Sequence, residues 1–377
     1  MEERYIVQPD TEFIKEVVDR GGESLKNCFQ CGTCSVVCSL SPAEKPFPRK
    51  EMIWAQWGLK DKLLKDPDVW MCHQCTDCST HCPRGAKPGD VLAAIRSYAI
   101  GYFSRPAFLA KALSAPRYLP AILAIPALLL FAFFWAATGN LAFPGGIISP
   151  EDLIPNSLAY AAMGMLFVFV LIVAGSGIYR FWKSISEFEV NPGPTTGGGG
   201  NWLKTSFSVL VDILKHSKFG RCEENKVSRY THLAIFYGAI LLLIATALSA
   251  IFHHFLEIYS PHPLASPVKI AGNLGALLLL VGCIFVIFRR FSASDNVGKT
   301  AYSDWFLIWM LFFTTLTGIA TEVIRLADLA AATYWLYLVH LWLMFVFFMS
   351  LPFSKAAHMI YRTLALAYAK QIGREVE

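Results

Sequence analysis

Eight of the ten cysteines in the 377-residue chain fall between Cys28 and Cys82, in two runs of one pattern. The first is Cys28-x2-Cys31-x2-Cys34-x3-Cys38. The second, Cys72-x2-Cys75-x2-Cys78-x3-Cys82, is followed by Pro83. Thiolates so spaced hold iron–sulfur cubes: three reach neighbouring irons of one cluster, and the fourth ligates the other. The expected quartets are therefore Cys28, Cys31, Cys34 and Cys82 for one 4Fe–4S cluster, and Cys38, Cys72, Cys75 and Cys78 for a second. Structural zinc, the competing use, takes cysteine pairs separated by a longer loop, which these evenly spaced quartets do not follow.

Histidines supply a second set of ligands. Ionisable residues inside apolar spans are rare and mark function. One apolar segment begins with His232 and ends with His253-His254; another holds His340 and runs past Pro352 to His358. On one continuous helix the interval from His340 to His358 makes about five turns, or roughly 27 Å, with both rings on one side at opposite depths. With the two spans antiparallel, His232 faces His358 near one surface, and His253 or His254 faces His340 near the other. Helical phase leaves both members of the His253-His254 pair open, one short of whole turns from His232 and the other beyond. An imidazole on each side of an iron fills both axial positions and suits electron transfer, so two bis-histidine b haems stacked across a bilayer are the direct reading. Four unrelated histidines making interhelical hydrogen bonds are the alternative. His216, on the polar face of a surface helix, is read as structural, and His262, in a Pro-flanked loop, as structural or at most near a haem propionate.

The elements that must position these ligands are helical. The chain is 55% hydrophobic and 16% charged, whereas charged residues make up about a quarter of a soluble domain. Charge concentrates in Met1 to Arg105, and apolar runs dominate after Tyr118. Six runs reach the ~20 residues that a bilayer crossing needs: Tyr118 to Ala137, Ser157 to Phe181, Thr231 to Leu256, Ile270 to Phe288, Asp304 to Ile324 and Tyr334 to Phe353. The connections Thr138 to Ser157 and Glu257 to Pro267 carry no Lys or Arg, whereas Arg180 to Arg229, Arg289-Arg290 and the segment from Lys355 onward are rich in them. That asymmetry predicts both termini in the cytoplasm. The charged opening segment predicts no secretory signal. The formal charge of +5 fits membrane orientation rather than nucleic-acid binding, because the basic residues flank apolar segments.

The fold class is thus mainly α: a helical two-cluster ferredoxin head over residues 1–105, two spans over 106–190, a linker and surface helix over 191–228, and four haem-bearing spans over 229–377. In the head, Thr11 to Arg20, Arg49 to Lys65 and Asp90 to Phe103 read as helices. Asn191 to Gly200 reads as a flexible linker. After it, Leu203, Phe207, Leu210 and Leu214 share one face of an amphipathic helix lying on the membrane surface.

These residues carry a resemblance. Cys28-Phe-Gln-Cys-Gly-Thr-Cys and the later Cys78-x3-Cys82-Pro-Arg-Gly resemble the C subunits of heterodisulfide reductases. Arg229-Tyr-Thr-His232 with Gly238, and His340 followed by Pro352-Phe-Ser-Lys-Ala-Ala-His358, are similar to the cytochrome b subunits of heterodisulfide and respiratory nitrate reductases. Their fusion in this order resembles the C subunits of quinone-interacting membrane-bound oxidoreductase complexes. The resemblance implies menaquinone as substrate, cytoplasmic flavin- and Fe–S-containing partners resembling heterodisulfide reductase A, and adenylylsulfate reductase as the enzyme they serve.

Three functions compete. An electron-transfer subunit uses every site above. A complete disulfide reductase would need a further paired-cysteine domain, and only the widely separated Cys222 and Cys283 remain for one. A membrane redox sensor or anchor would leave eight cluster ligands and a histidine quartet without purpose. Glu322 could accept a quinol proton and Arg325 could meet a haem propionate. The two could equally form an interfacial ion pair one turn apart, so no quinone residue is assigned.

Overall fold

The computed structural model describes residues 8–43, 45–139, 148, 153, 154, 156–187, 201–216, 226–292 and 300–374. Every regular element among them is helical. The head carries α1 (Thr11–Val17), α2 (Thr33–Val37), α3 (Arg49–Gln56), α4 (Lys60–Lys65), α5 (Asp68–Met71), α6 (Asp77–Thr80), α7 (Pro88–Phe103) and α8 (Ala107–Leu113). Asp10 starts α1 by accepting the Phe13 N–H at 2.8 Å, the usual work of an N-cap carboxylate. Arg49 to Lys65, expected as one helix, is two. Gly58 adopts a φ of 63°, and a Cβ there would stand 2.7 Å from the backbone of Asp10. Only glycine fits that turn, so α3 ends and α4 begins anew.

Then follow α9 (Leu119–Thr138), α10 (Asn156–Ser186), α11 (Trp202–Lys215), α12 (Lys226–Phe255), α13 (Pro267–Phe291), α14 (Tyr302–Leu326), α15 (Ala330–Ser350) and α16 (His358–Gln371). Six of them, α9, α10 and α12 to α15, are long and apolar enough to cross a membrane, at bounds close to the expected ones. The expected linker Asn191 to Gly200 lies outside the described residues. The expected surface helix is α11, with Leu203 and Phe207 exposed on one face.

Spans α12 and α13 pack backbone to backbone. A Cβ on Gly238 would lie 2.8 Å from the Gly275 carbonyl, and one on Gly282 would lie 2.7 Å from the Ile235 side chain. Small residues permit such approach in lipid, where no hydrophobic force pulls helices together. Ile122, Val173, Met310 and Val346 join α9, α10, α14 and α15 in one core, and the Trp342 indole donates to the Leu123 carbonyl at 2.9 Å.

The continuous helix expected from His340 to His358 is broken. α15 stops at Ser350, two short 3-10 turns follow over Leu351–Phe353 and Lys355–Ala357, and His358 opens α16. Pro352 brings no N–H to continue the helix, and its carbonyl accepts the Ser104 hydroxyl of the head at 2.7 Å.

Head and spans share a core that crosses the expected boundary at residue 105. Trp70 packs edge-on against Phe181 of α10 at 5.4 Å and lies tilted against Tyr361 of α16 at 5.6 Å. Just past the C-terminal end of α16, the Arg374 guanidinium pairs with the buried Asp68 carboxylate. Lys50 contacts Asp66 at 2.8 Å, Asp68 at 2.9 Å and Glu51 at 3.2 Å. Burial, reinforced by the neighbouring Asp66, pushes the Glu51 carboxyl up to about 8, against the pull of Lys50. The fold therefore holds a proton that the unfolded chain releases, so stability falls as pH rises from the ordinary carboxyl range towards 8. Glu51→Gln is expected to match the parent near pH 5 and to exceed it near pH 8 by up to about 4 kcal/mol. Thermal unfolding of the detergent-solubilised chain across that range checks this, and a pH-independent difference would contradict it.

Candidate redox centres

The two cysteine loops repeat one backbone. In the first, Gln30 and Gly32 are left-handed, with φ of 63° and 87°; in the second, Gln74 and Thr76 are, with φ of 54° and 74°. Each loop feeds a short helix, α2 or α6, that carries the third cysteine, Cys34 or Cys78. Successive N–H groups turned this way form concavities that suit an anionic cluster.

The loops are interleaved. Cys38, Cys72, Cys75 and Cys78 line one small cavity, walled by Leu40 and Phe47. Cys34 lies within electrostatic reach of Cys28, Cys31 and Cys82, and Cys28 within reach of Cys31 and Cys82. The fourth cysteine of each run thus stands with the first three of the other. Burial, then the adjacent thiols, pushes Cys34 up to about 11. Burial likewise pushes Cys38 up to about 12 and raises Cys78. Cys31 is exposed, and its thiol is lowered chiefly by a 3.4 Å hydrogen bond with Thr33. Ligation requires thiolates, so loading a cluster here expels protons from the buried cysteines.

The Cys38 quartet faces the membrane part. Leu366 and Ala369 of α16 pack with Cys38, Cys72 and Cys75. Arg362, one turn beyond His358, donates to the carbonyls of Met71 at 3.3 Å and Cys72 at 3.4 Å. Glu51, Asp66 and Asp68 also bring oxygens within 4.8 Å of one another, but Lys50 and Arg374 occupy that cluster as an ion-pair lock.

Three of the candidate haem histidines share one hydrogen-bonding habit. His340 presents Nδ1 to the Thr314 carbonyl at 3.0 Å and to the Thr317 hydroxyl at 3.1 Å. His358 presents Nδ1 to the Lys355 carbonyl. His232 presents Nδ1 to His216 Nε2 at 3.1 Å. An Nδ1–H donating to a fixed acceptor sets the tautomer that leaves the Nε2 lone pair for a metal, as ligating histidines do. The residues therefore fit haem ligation. Gly318 also fits, since a Cβ there would stand 3.0 Å from His340 Cε1 and unseat the ring. Burial holds the His358 imidazole down to about 3 despite the raising effect of its hydrogen bond to the Lys355 carbonyl, and the charges of Lys355, His232 and Arg362 add to the burial effect. His358 and His232 are thus close enough to feel each other's charge.

His253 and His254 make ring contacts with Tyr160 of α10 at 5.5 and 5.1 Å. His253 is half-buried and His254 exposed. His262 is buried against Phe252 at 5.8 Å, with its Nδ1 unpaired. Glu322 bonds Lys269 of α13 at 2.8 Å, so its ion pair crosses to the next span instead of running along the helix to Arg325. Cys283 is buried in α13, and Cys222 lies outside the described residues. His216, read as structural, is instead buried against His232. It stands at the end of α11, where a left-handed backbone (φ 49°) turns the chain, and no pattern in the sequence links it to His232.

A helical iron–sulfur head joined to six apolar spans defines a membrane-associated electron-transfer protein. Residues 109–375 match the family described as Citrate utilization protein B, and residues 24–86 match the 4Fe-4S dicluster domain. The chain belongs to the Citrate utilization protein B family. The Citrate utilization protein B of Escherichia coli is 24% identical over 100% of this chain and 96% of its own length. The head is 42% identical to the C subunit of the H(2):CoB-CoM heterodisulfide,ferredoxin reductase of Methanothermobacter marburgensis, over 24% of this chain and 49% of that one. It is 39% identical to a protein of Archaeoglobus profundus that is like the C subunit of heterodisulfide reductase, over 26% of this chain and 55% of that one. The matched stretch thus spans about half the length of these two relatives. No solved structure matches the chain.

Proposed function

We propose that this chain links menaquinone to cytoplasmic acceptors through two b haems and two 4Fe–4S clusters. Cys28, Cys31, Cys34 and Cys82 hold one cluster, and Cys38, Cys72, Cys75 and Cys78 the other. His232 and His358 hold the haem at the head end of the spans; His340 with His253 or His254 holds the haem at the far end. The head and both termini face the cytoplasm of a bacterial or archaeal inner membrane, an orientation favoured by the Lys and Arg distribution. The haems and clusters these residues would hold would supply one-electron carriers, so that quinol oxidation would deliver its two electrons singly and release two protons to water.

The observation that carries this reading is α16. It opens with His358, grips the carbonyls of Met71 and Cys72 through Arg362, and leads three residues past its end to the Arg374–Asp68 pair. One rigid element thus joins a haem ligand to the loop of the membrane-proximal cluster. The exposed Cys31 sits on the other quartet, which makes that cluster the exit to a partner. The partners we assign are flavin and Fe–S proteins resembling heterodisulfide reductase A, with adenylylsulfate reductase beyond them. That is the role of the C subunit in quinone-interacting membrane-bound oxidoreductase complexes of sulfate respiration. The likeness of the head to heterodisulfide reductase C subunits favours a second reading, the ferredoxin and cytochrome component of a heterodisulfide reductase-like complex. The flavoprotein that co-purifies with the chain separates the two.

A menaquinol analogue added to the anaerobic protein should bring up low-spin b bands, with cluster reduction following. Reduced protein without b bands would refute the haems, and bands that quinol cannot produce would refute the quinone link. Arg362→Leu should leave haem reduction by quinol unchanged and slow cluster reduction by about 10-fold, a cost ordinary for losing an outer partner of a metal site. Stopped-flow absorbance resolves the two phases.

A further inference from the structure

The surface helix α11 is tied to both helices that carry the head-end ligands. The Tyr237 hydroxyl of α12 donates to the Leu214 carbonyl at 2.6 Å. Lys370 of α16 donates to the Ser208 hydroxyl at 3.0 Å and lies 3.9 Å from Asp212. α11 ends at His216, whose left-handed backbone (φ 49°, ψ 35°) folds the side chain back into the protein. The ring is 9% exposed, lies 4.9 Å from Phe236 and is tilted against His232 at 5.1 Å.

The bonds of this ring to Leu214 and His232 are satisfied together by one tautomer. His216 Nδ1 faces the Leu214 carbonyl at 3.3 Å, an oxygen that can only accept, so Nδ1 carries the proton. Nε2 of the neutral ring is then an acceptor, and the atom it meets, His232 Nδ1 at 3.1 Å, is the donor. His232 is thereby held in the tautomer whose lone pair is on Nε2.

We propose that His216 is a positioning residue for the head-end haem: it accepts the Nδ1–H of His232, orients that imidazole and makes it a stronger donor to iron. The inference rests on the haem reading above. Where His340 and His358 meet backbone carbonyls, His232 meets a side chain from a separate helix. The apolar face of that helix, with Leu203 79% and Phe207 69% exposed, suits the membrane surface. A neutral imidazole is also a better acceptor than an amide carbonyl, which strengthens electron donation through His232 and favours ferric iron.

The test is a redox titration of the full chain in detergent, with the two haems resolved as separate waves. In His216→Asn the left-handed cap survives, because asparagine tolerates that backbone, but the acceptor is pulled out of reach. His216→Gln restores reach and an acceptor oxygen. In His216→Asn and His216→Leu, the head-end haem is expected to shift towards the ferrous form by about 10-fold in its redox equilibrium. In His216→Gln it should stay within about twofold of the parent, and the far-side wave should not move in any variant. Unmoved waves in all three would overturn the proposal. So would a low-spin head-end spectrum that survives His232→Ala but is lost in His216→Leu, because His216 would then be the axial ligand itself. A parent protein with no haem would instead sink the reading on which this inference rests.

Discussion

Replacing His358 by alanine is expected to remove the head-end haem, halve the haem content and stop electrons from reaching the clusters. The residue sits at the junction of three features. It opens α16 directly after the break at Pro352, its Nδ1 is fixed by the Lys355 carbonyl, and Arg362 one turn on grips the Cys72 loop. Loss of an outer hydrogen-bonding partner already costs about 10–100-fold at a metal site, so loss of the ligand should cost at least the upper end of that range. Alanine suits the first turn of a helix, and the core around Trp70, Phe181 and Tyr361 does not depend on the imidazole. The folded chain should therefore survive with its clusters intact. The pyridine haemochrome ratio and quinol-driven cluster reduction check both halves of the expectation. Unchanged haem content would exclude His358 as a ligand.

The parts of this architecture that follow from local chemistry were legible in the sequence. Cysteine spacing is one, because the reach between irons is fixed by the cube; the six apolar runs are another, because bilayer thickness sets their length. What stayed hidden depends on contacts distant in the chain. Gly58 splits Arg49 to Lys65 because the backbone of Asp10 lies against it, 48 positions away. Glu322 finds Lys269 on α13, a partner no helical-phase argument within α14 could supply. Pro352 was visible, yet its effect reaches further than a kink: His340 and His358 fall on separate helices, so their alignment comes from tertiary packing rather than from counting turns. His216 was hidden for the same reason. It bears no periodic relation to His232 and meets it only because α11 folds back along α12 and α16.

Substituting Cys38→Ser is the larger test of the head, because sequence neighbours and spatial neighbours disagree about it. Cys38 follows Cys34 in the chain, but it shares a cavity with Cys72, Cys75 and Cys78. Its loss should therefore leave the Cys28, Cys31, Cys34 and Cys82 cluster whole and destroy the other, lowering bound iron from about eight to about four per chain. Cys72→Ser should reproduce the same electron paramagnetic resonance spectrum, whereas Cys82→Ser should match Cys31→Ser. If Cys38→Ser grouped instead with Cys31→Ser, the crossed quartets would be wrong. Function should separate the two groups as well. The Cys38 quartet packs on α16, and Cys31 lies at the exposed side. With the membrane-proximal cluster gone, quinol should still reduce the haems while the surviving distal cluster stays oxidised. With the distal cluster gone, quinol should reduce haems and proximal cluster alike, and only the external acceptor should be cut off. Equal reduction of the surviving cluster in both variants would mean that electrons reach the two clusters independently, and the assigned order from α16 through Cys38 to Cys31 would fail.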